Sequence, residues 1–243
     1  MKKLIGIAVA ATLGVASANA ADLASRPYTK APADVATVHD WSGFYVGAHV
    51  GYGWAHDDVT AYIRTTGALF TTFDFNQSGI LGGAQLGYNL QVAPNWLLGI
   101  EGDFSGADIA GTIDVSRAPG VARLDGKLNQ FATIRARVGY TINNWLLYGT
   151  GGFAWGHVKA RNEQVQCFVV TCTLGATDLI SQDRTGWTAG VGVEYALTRN
   201  WSVKLEYIHV DFGTYRTTLS AVNRFDDDTL LMDAVRIGAN YRF

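Results

Sequence analysis

The chain has 243 residues, enough for one domain with a sizeable core, and carries 19 Lys and Arg against 21 Asp and Glu for a net charge of −2. That balance argues against a nucleic-acid partner, and beyond the first twenty residues no apolar run is long enough for a transmembrane helix. Charged residues make up only 16% of the chain and glycine supplies 28 positions, a low-charge, glycine-rich composition for a soluble domain.

Residues 1–20 read as a signal peptide. Lys2 and Lys3 form a basic start, residues 4–15 an apolar stretch, and Ala18-Asn19-Ala20 a small-x-small site with cleavage expected between Ala20 and Ala21. Residues 21–40 contain Pro27, Pro32 and scattered charges without periodicity, which predicts a flexible periplasmic leader. Residues 41–243 then alternate with a period of two in eight segments, the signature of β-strands with one apolar face.

In the first segment Phe44, Val46, Val50, Tyr52 and Trp54 oppose Tyr45, Gly47, His49 and Gly51; in the second Ile80, Leu86, Tyr88 and Leu90 oppose Gly83, Gln85, Gly87 and Asn89. The third sets Trp96, Leu98, Ile100 and Phe104 against Glu101, Asp103 and Ser105, and the fourth Ile134, Val138 and Tyr140 against Thr133, Arg135 and Arg137. The fifth opposes Trp145, Leu147, Phe153 and Trp155 to Tyr148 and Thr150; the sixth opposes Trp187, Val191, Val193 and Tyr195 to Thr188 and Glu194. The seventh has Trp201, Val203, Leu205 and Tyr207 against Ser202, Lys204 and Glu206, and the eighth Val235, Ile237, Tyr241 and Phe243 against Arg236, Asn240 and Arg242. None of the four prolines falls inside a segment.

Connections alternate short and long. The short turns are Ala93-Pro94-Asn95, Asn143-Asn144 and Thr198-Arg199-Asn200, with left-handed asparagines expected at their ends. Each is followed at once by Trp (96, 145, 201), and Asp40-Trp41 heads the first strand, which suggests a fourfold hairpin repeat. The long connections are expected over residues 55–78, 106–129, 157–184 and 211–232. Pairing Ile142 with Trp145, Val92 with Trp96 and Leu197 with Trp201 keeps apolar opposite apolar and sets Glu194 against Lys204.

A lipocalin-like soluble barrel would show the same period with its apolar face inward. Aromatic residues at both strand ends, a polar face carrying both charge signs, and short turns at one end against long loops at the other instead predict an all-β, eight-stranded antiparallel up-and-down transmembrane β-barrel.

Several stretches also resemble a known group: Trp41-Ser-Gly-Phe-Tyr-Val-Gly, Gly82-Gly-Ala-Gln-Leu-Gly-Tyr88, Arg135-Ala-Arg-Val-Gly-Tyr140, Gly190-Val-Gly-Val-Glu-Tyr195 and the closing strand. They are similar to the opacity/RopB-type small outer-membrane proteins of alphaproteobacteria. The resemblance implies an integral surface protein of the Gram-negative outer membrane, related in architecture to the OmpA transmembrane barrel. Long loops would be extracellular, and short turns and both termini periplasmic. It further implies a C-terminal recognition signal for the barrel-assembly machinery, carried here by Tyr241 and Phe243, and an Ala21-Asp22 start of the kind joined to peptidoglycan in some such barrels.

Inside, a lumen network of Glu101, Asp103, Arg135, Arg137, Glu194, Lys204, Glu206 and Arg236 is expected, because buried charges must be paired and eight strands leave room for little but side chains. Glu101 and Arg137 are expected to face each other at similar depth. Cys167 and Cys172, in the third long connection, suggest a disulfide closing a small loop. His56 and His157, near the outer strand ends, are the residues a haemin-binding role would use, and Asp226-Asp-Asp228 those a divalent ion would use. Arg64, Arg123, Lys127, Lys159, Arg161, Arg184, Arg216 and Arg224 could meet lipopolysaccharide phosphates. Ser202 lies at the opposite end from those histidines and no nucleophile elbow is present, so no enzyme and no cofactor are expected. The function expected is structural, supporting envelope integrity and surface exposure. A small diffusion pore and a surface binding protein for haemin or adhesion are the alternatives.

Overall fold

The computed structural model describes residues 39–117, 120–168, 171–219 and 224–243, with side chains described outside 113–122, 124, 162–178 and 219–224. The eight expected strands are β1 (Gly43–Ile63), β2 (Leu69–Ala93), β3 (Trp96–Arg117), β4 (Gly120–Ile142), β5 (Trp145–Phe168), β6 (Thr171–Ala196), β7 (Trp201–Leu219) and β8 (Arg224–Arg242). Each pairs antiparallel with its neighbours in chain order, and β8 returns to β1 to close the barrel. That seam runs from Tyr45 against Arg242 to Ile63 against Arg224, so the sheet has no free edge to expose to lipid.

Why the chain closes follows from the alternation. Outward rows are apolar, with Phe44, Val50, Ile80, Leu86, Ile100, Ile134, Val191 and Ile237 each more than half exposed. Inward rows carry the polar and charged residues. The outward row on β1 spans residues 44–54, close to the roughly 9–11 residues a tilted strand needs to cross a bilayer.

Four features depart from the sequence reading. First, the strands are 19 to 26 residues long. Most of the expected long connections are therefore β-hairpins that continue the barrel wall beyond the apolar band. Out there the outer face meets water instead of lipid, so the ladder persists while the apolar alternation that marks a strand does not.

Second, the β2–β3 turn holds two residues, Pro94 and Asn95, with Ala93 opposite Trp96 instead of Val92. A register irregularity between Gln91 and Ala93 absorbs the odd residue, so Leu90 still meets Leu98. Among the described non-glycine residues, the left-handed backbone is confined to Asn143 (φ 53°). Asn95 and Asn200 serve differently. Their side-chain amides donate to the carbonyls of Thr141 and Arg242, both at 2.8 Å, and their own carbonyls accept from the same residues' N–H groups.

Third, Trp41 does not repeat the outward position of Trp96, Trp145 and Trp201. Cross-strand pairs of Trp96 with Tyr140, Trp145 with Tyr195, and Trp201 with Tyr241 bring ring centroids to 5.4, 4.6 and 5.2 Å; the fourth pair is Phe44 with Tyr88 at 4.7 Å. Trp41 turns inward and is fully buried.

Fourth, Glu101 stands opposite Arg135, and Arg137 stands opposite Gly99. Barrel closure staggers neighbouring strands. Here Trp96 meets Tyr140 instead of Ile142, which slides β4 by two residues.

Candidate functional site

The lumen fills in layers. Nearest the short turns, Trp41, Leu97, Leu146, Tyr148 and Ala196 form a small apolar cluster. The Arg242 guanidinium lies 4.7 Å over the Trp41 ring and bonds to the Asp40 carbonyl at 2.8 Å and to His39 at 2.7 Å. Toward the hairpin end a larger apolar cluster includes Leu81, Ile109, Phe131, Phe212, Leu230 and Met232.

Between them lies the charged layer, with four cations and four anions whose side chains are 0–1% exposed. Arg135 donates to Glu206 at 2.7 Å, to Glu101 at 2.5 Å and to Asp103 at 3.1 Å. Arg236 reaches Glu206 through Nε at 2.9 Å and Asp103 through a terminal nitrogen at 2.9 Å. Lys204 bonds to both oxygens of Glu101, at 3.2 and 3.1 Å. Arg137 donates to Glu194, whose other oxygen accepts from Ser202 at 2.5 Å and Asn240 at 2.9 Å. All eight residues named from the sequence meet in this one layer. Opposite charges balance, and most of the carboxylate oxygens are bonded, which is the condition for burying ions at all.

Neutral residues complete the layer. Tyr45 donates to Glu101 at 2.7 Å, and the Arg137 guanidinium stacks 3.7 Å over the Tyr148 ring. His49 joins Gln85 at 2.6 Å and Ser105 at 2.8 Å. These three were on the polar face of the sequence pattern but carried no charge to draw notice. The apolar layers had a subtler signal. Doublets such as Leu97-Leu98 and Leu146-Leu147 put one apolar residue on each face, so the inner one must pack inside.

Other candidates are scattered. His56 and His157 sit on β1 and β5, four strands apart in a ring of eight, so they cannot ligate one iron together. His56 instead bonds to Asn76 at 2.6 Å and contacts Asp58 at 3.1 Å, and His157 bonds to Asp183 at 2.7 Å. The Asp226–Asp228 run is divided by the strand period. Asp227 faces outward and takes Arg216 bidentately at 2.7 and 2.8 Å, while Asp228 takes Arg184 on the inside. Arg184 is therefore buried in the barrel and does not face lipid headgroups. Outside the apolar band, the Asp57 carboxyl is pushed up to about 7, mainly by burial and next by the Asp228 charge.

Tyr241 and Phe243 pack edge to face, 5.3 Å apart, on the exterior of the seam, and the Phe243 N–H donates to the Phe44 carbonyl at 3.1 Å. The backbones of Cys167 and Cys172 pair directly across the β5–β6 hairpin; their side chains lie outside the described residues, as do Ala20, Ala21 and Asp22.

A closed ring of eight strands, apolar toward lipid and filled with paired charges, defines an integral β-barrel of the outer membrane. The chain belongs to the family of the outer membrane protein beta-barrel domain, whose model matches residues 7–243. It is 33% identical, over 100% of both chains, to the 31 kDa outer-membrane immunogenic protein of Brucella melitensis. It is 30% identical to the 25 kDa outer-membrane immunogenic protein of Brucella abortus, covering 100% of this chain and 99% of that one. With the 22 kDa outer membrane protein of Rhizobium leguminosarum it shares 28% identity, over 87% of this chain and 82% of the relative. These alphaproteobacterial relatives agree with the resemblance drawn from the sequence.

Proposed function

We propose that the protein is a non-catalytic structural element of the outer membrane, reinforcing the envelope and presenting its hairpins at the cell surface. The observation that carries this reading is the sealed lumen, in which an ion-pair layer with 0–1% exposed side chains lies between two apolar layers. An eight-stranded barrel has an interior just wide enough for side chains, and here they occupy its cross-section three times over. The hairpins project from the end opposite the short turns, which suits an extracellular position. The Brucella relatives are named outer-membrane immunogenic proteins, which accords with a surface role here.

The partners proposed are outer-membrane lipid and lipopolysaccharide, the barrel-assembly machinery acting on the closing strand, and peptidoglycan through residues 21–22. Lipopolysaccharide has one specific foothold. Lys127 and Lys159 stand directly opposite on the exterior of β4 and β5; Lys127 pairs with Asp108 at 2.7 Å, and Lys159 beside it is the cation offered to a phosphate.

The test has two arms. A deletion strain is expected to lose resistance to detergents and to regain it with the intact gene. The purified protein in planar bilayers is expected to give no stable conductance. A steady, wide single-channel step from the pure protein would replace the structural reading with a pore. Unchanged detergent resistance on deletion would remove the envelope role.

A further inference from the structure

Above the upper apolar layer, at the hairpin end, the barrel interior opens into a cavity of about 80 Å³. Its lining combines the apolar Phe73, Phe75, Val158 and Ile180 with Asp57 and Asp228 and with Arg184, which already donates to one oxygen of Asp228. Gln77 is 4% exposed and lines this cavity, and its Oε1 has no hydrogen-bond partner in the protein. The same is true of Oε1 of Gln182, Oδ1 of Asp57 and Oδ1 of Asp228. Two donors of Arg184, Nε and Nη1, are unpartnered in the same cavity, so the four open acceptors outnumber the donors beside them. Buried acceptors left without donors cost free energy, on the order of 1–3 kcal/mol each, and this surplus asks for a donor from outside.

We propose that this cavity binds a primary ammonium group on an apolar stem, the ammonium donating to Asp57, Asp228 and Gln77 and the stem lying along Phe73 and Phe75. An ammonium supplies three donors and no acceptor, and aromatic faces favour a cation beside them. A bare metal ion fits less well. Among the described residues, the group of acids and histidines with ligand atoms close enough to share an ion is His56, Asp58 and Asp74, on the outside of the wall. The layers below make the cavity a dead end, so this is a binding site and not a passage. The inference goes beyond the structural role and stands whether or not that role does.

Asp57 couples the site to pH. Its carboxyl, pushed up to about 7, shares the cavity with Gln77 on β2, Arg184 on β6 and Asp228 on β8, and feels the charges of its β1 neighbours His56 and Asp58 on the outer face. The cavity is also lined by Asp125, Arg161 and Asp226. An alkylammonium remains charged across this range, so its binding should strengthen as pH rises from about 6 to about 8 and Asp57 ionises.

The test is calorimetric titration of the full-length folded protein in micelles with butylammonium chloride. Parallel titrations use a blocked Gly-Lys-Gly peptide, butanol and calcium chloride. Saturable butylammonium binding is expected, at least about tenfold weaker in Asp57→Asn and in Gln77→Leu, unchanged in the exterior variant Asp74→Asn, and absent for butanol. Peptide binding of equal strength would make the natural ligand a lysine side chain. Binding of butylammonium without the peptide would make it a free amine. The proposal is overturned if neither amine saturates, if Asp57→Asn and Gln77→Leu bind as well as the parent while keeping the gel mobility of the unboiled folded barrel, or if calcium displaces the amine.

Discussion

Arg135 shows how much a single residue can hold. Its two terminal nitrogens reach three carboxylates on two strands, Glu101 and Asp103 on β3 and Glu206 on β7. Replacing it with Met keeps much of the volume but leaves three acids sharing Arg236 and Lys204. Breaking a buried ion pair from one side costs roughly 3–5 kcal/mol. Arg135→Met is therefore expected to lower the urea midpoint of the micelle-folded barrel markedly; a midpoint equal to that of the parent would show the layer to be redundant. Asp57 gives the opposite kind of residue, one that opposes folding at high pH. Its folded value of about 7 lies above the ordinary 3.8. The folded state thus holds a proton that the unfolded state has released. Its favourable contribution is complete below about 3.8 and is lost as pH rises through 7. Thermal unfolding temperature should fall between pH 5 and pH 9 in the parent, and this slope should flatten in Asp57→Asn. An equally steep slope in the variant would assign the titration elsewhere.

At the scale of strands, the inward tyrosines are seated by glycines on the neighbouring strand. Tyr45 lies opposite Gly87 and Tyr148 opposite Gly192. A Cβ at Gly87 would come within 2.4 Å of the Tyr45 hydroxyl, and one at Gly192 within 2.4 Å of the Tyr148 ring. Gly192→Val should therefore expel Tyr148 from under Arg137. Overpacking of this kind costs about 1–3 kcal/mol, readable as a lower urea midpoint, and Gly192→Val combined with Tyr148→Ala should recover part of it. No recovery would mean the strain lies in the backbone. These strands also mark what could be read in advance. Where lipid lies on one side and the charged lumen on the other, as at Ile100 and Glu101 or Leu205 and Glu206, the period of two is imposed by solvent and is plain in the chain. Beyond Trp54 come His56, Asp57 and Asp58, polar on both faces, and the strand continues through backbone pairing that leaves no apolar trace. Parity could place Arg135 and Arg137 in the lumen. It could not choose which one meets Glu101, because that depends on the stagger of the closed ring. Trp41 shares the odd parity of the inward Tyr45 and His49, so the spacing itself points inward; its likeness to Trp96, Trp145 and Trp201, which follow their turns on the lipid face, hides that.

For the whole molecule, the three lumen layers act in series, and a pore opens only if every layer opens. The lower layer rests largely on Trp41 and the upper on Phe131 and Phe212, all fully buried. Trp41→Ala removes the largest side chain of the lower cluster, and Phe131→Ala with Phe212→Ala hollows the upper one. Each should cost stability, since truncating a buried aromatic loses about 3–5 kcal/mol. Neither should conduct, because the eight charged side chains between them span the barrel from β3 to β8 and bond to one another across it. The triple variant is the stronger case. With both apolar layers hollowed, water can reach the ion pairs from either end, yet the pairs still occupy the cross-section, so planar-bilayer recordings should remain without stable steps. Steps from Trp41→Ala alone would place the entire seal at the short-turn end. Steps that arise only in the triple variant would show that the charged layer admits ions once wetted on both sides, and that the apolar layers are what keep it shut.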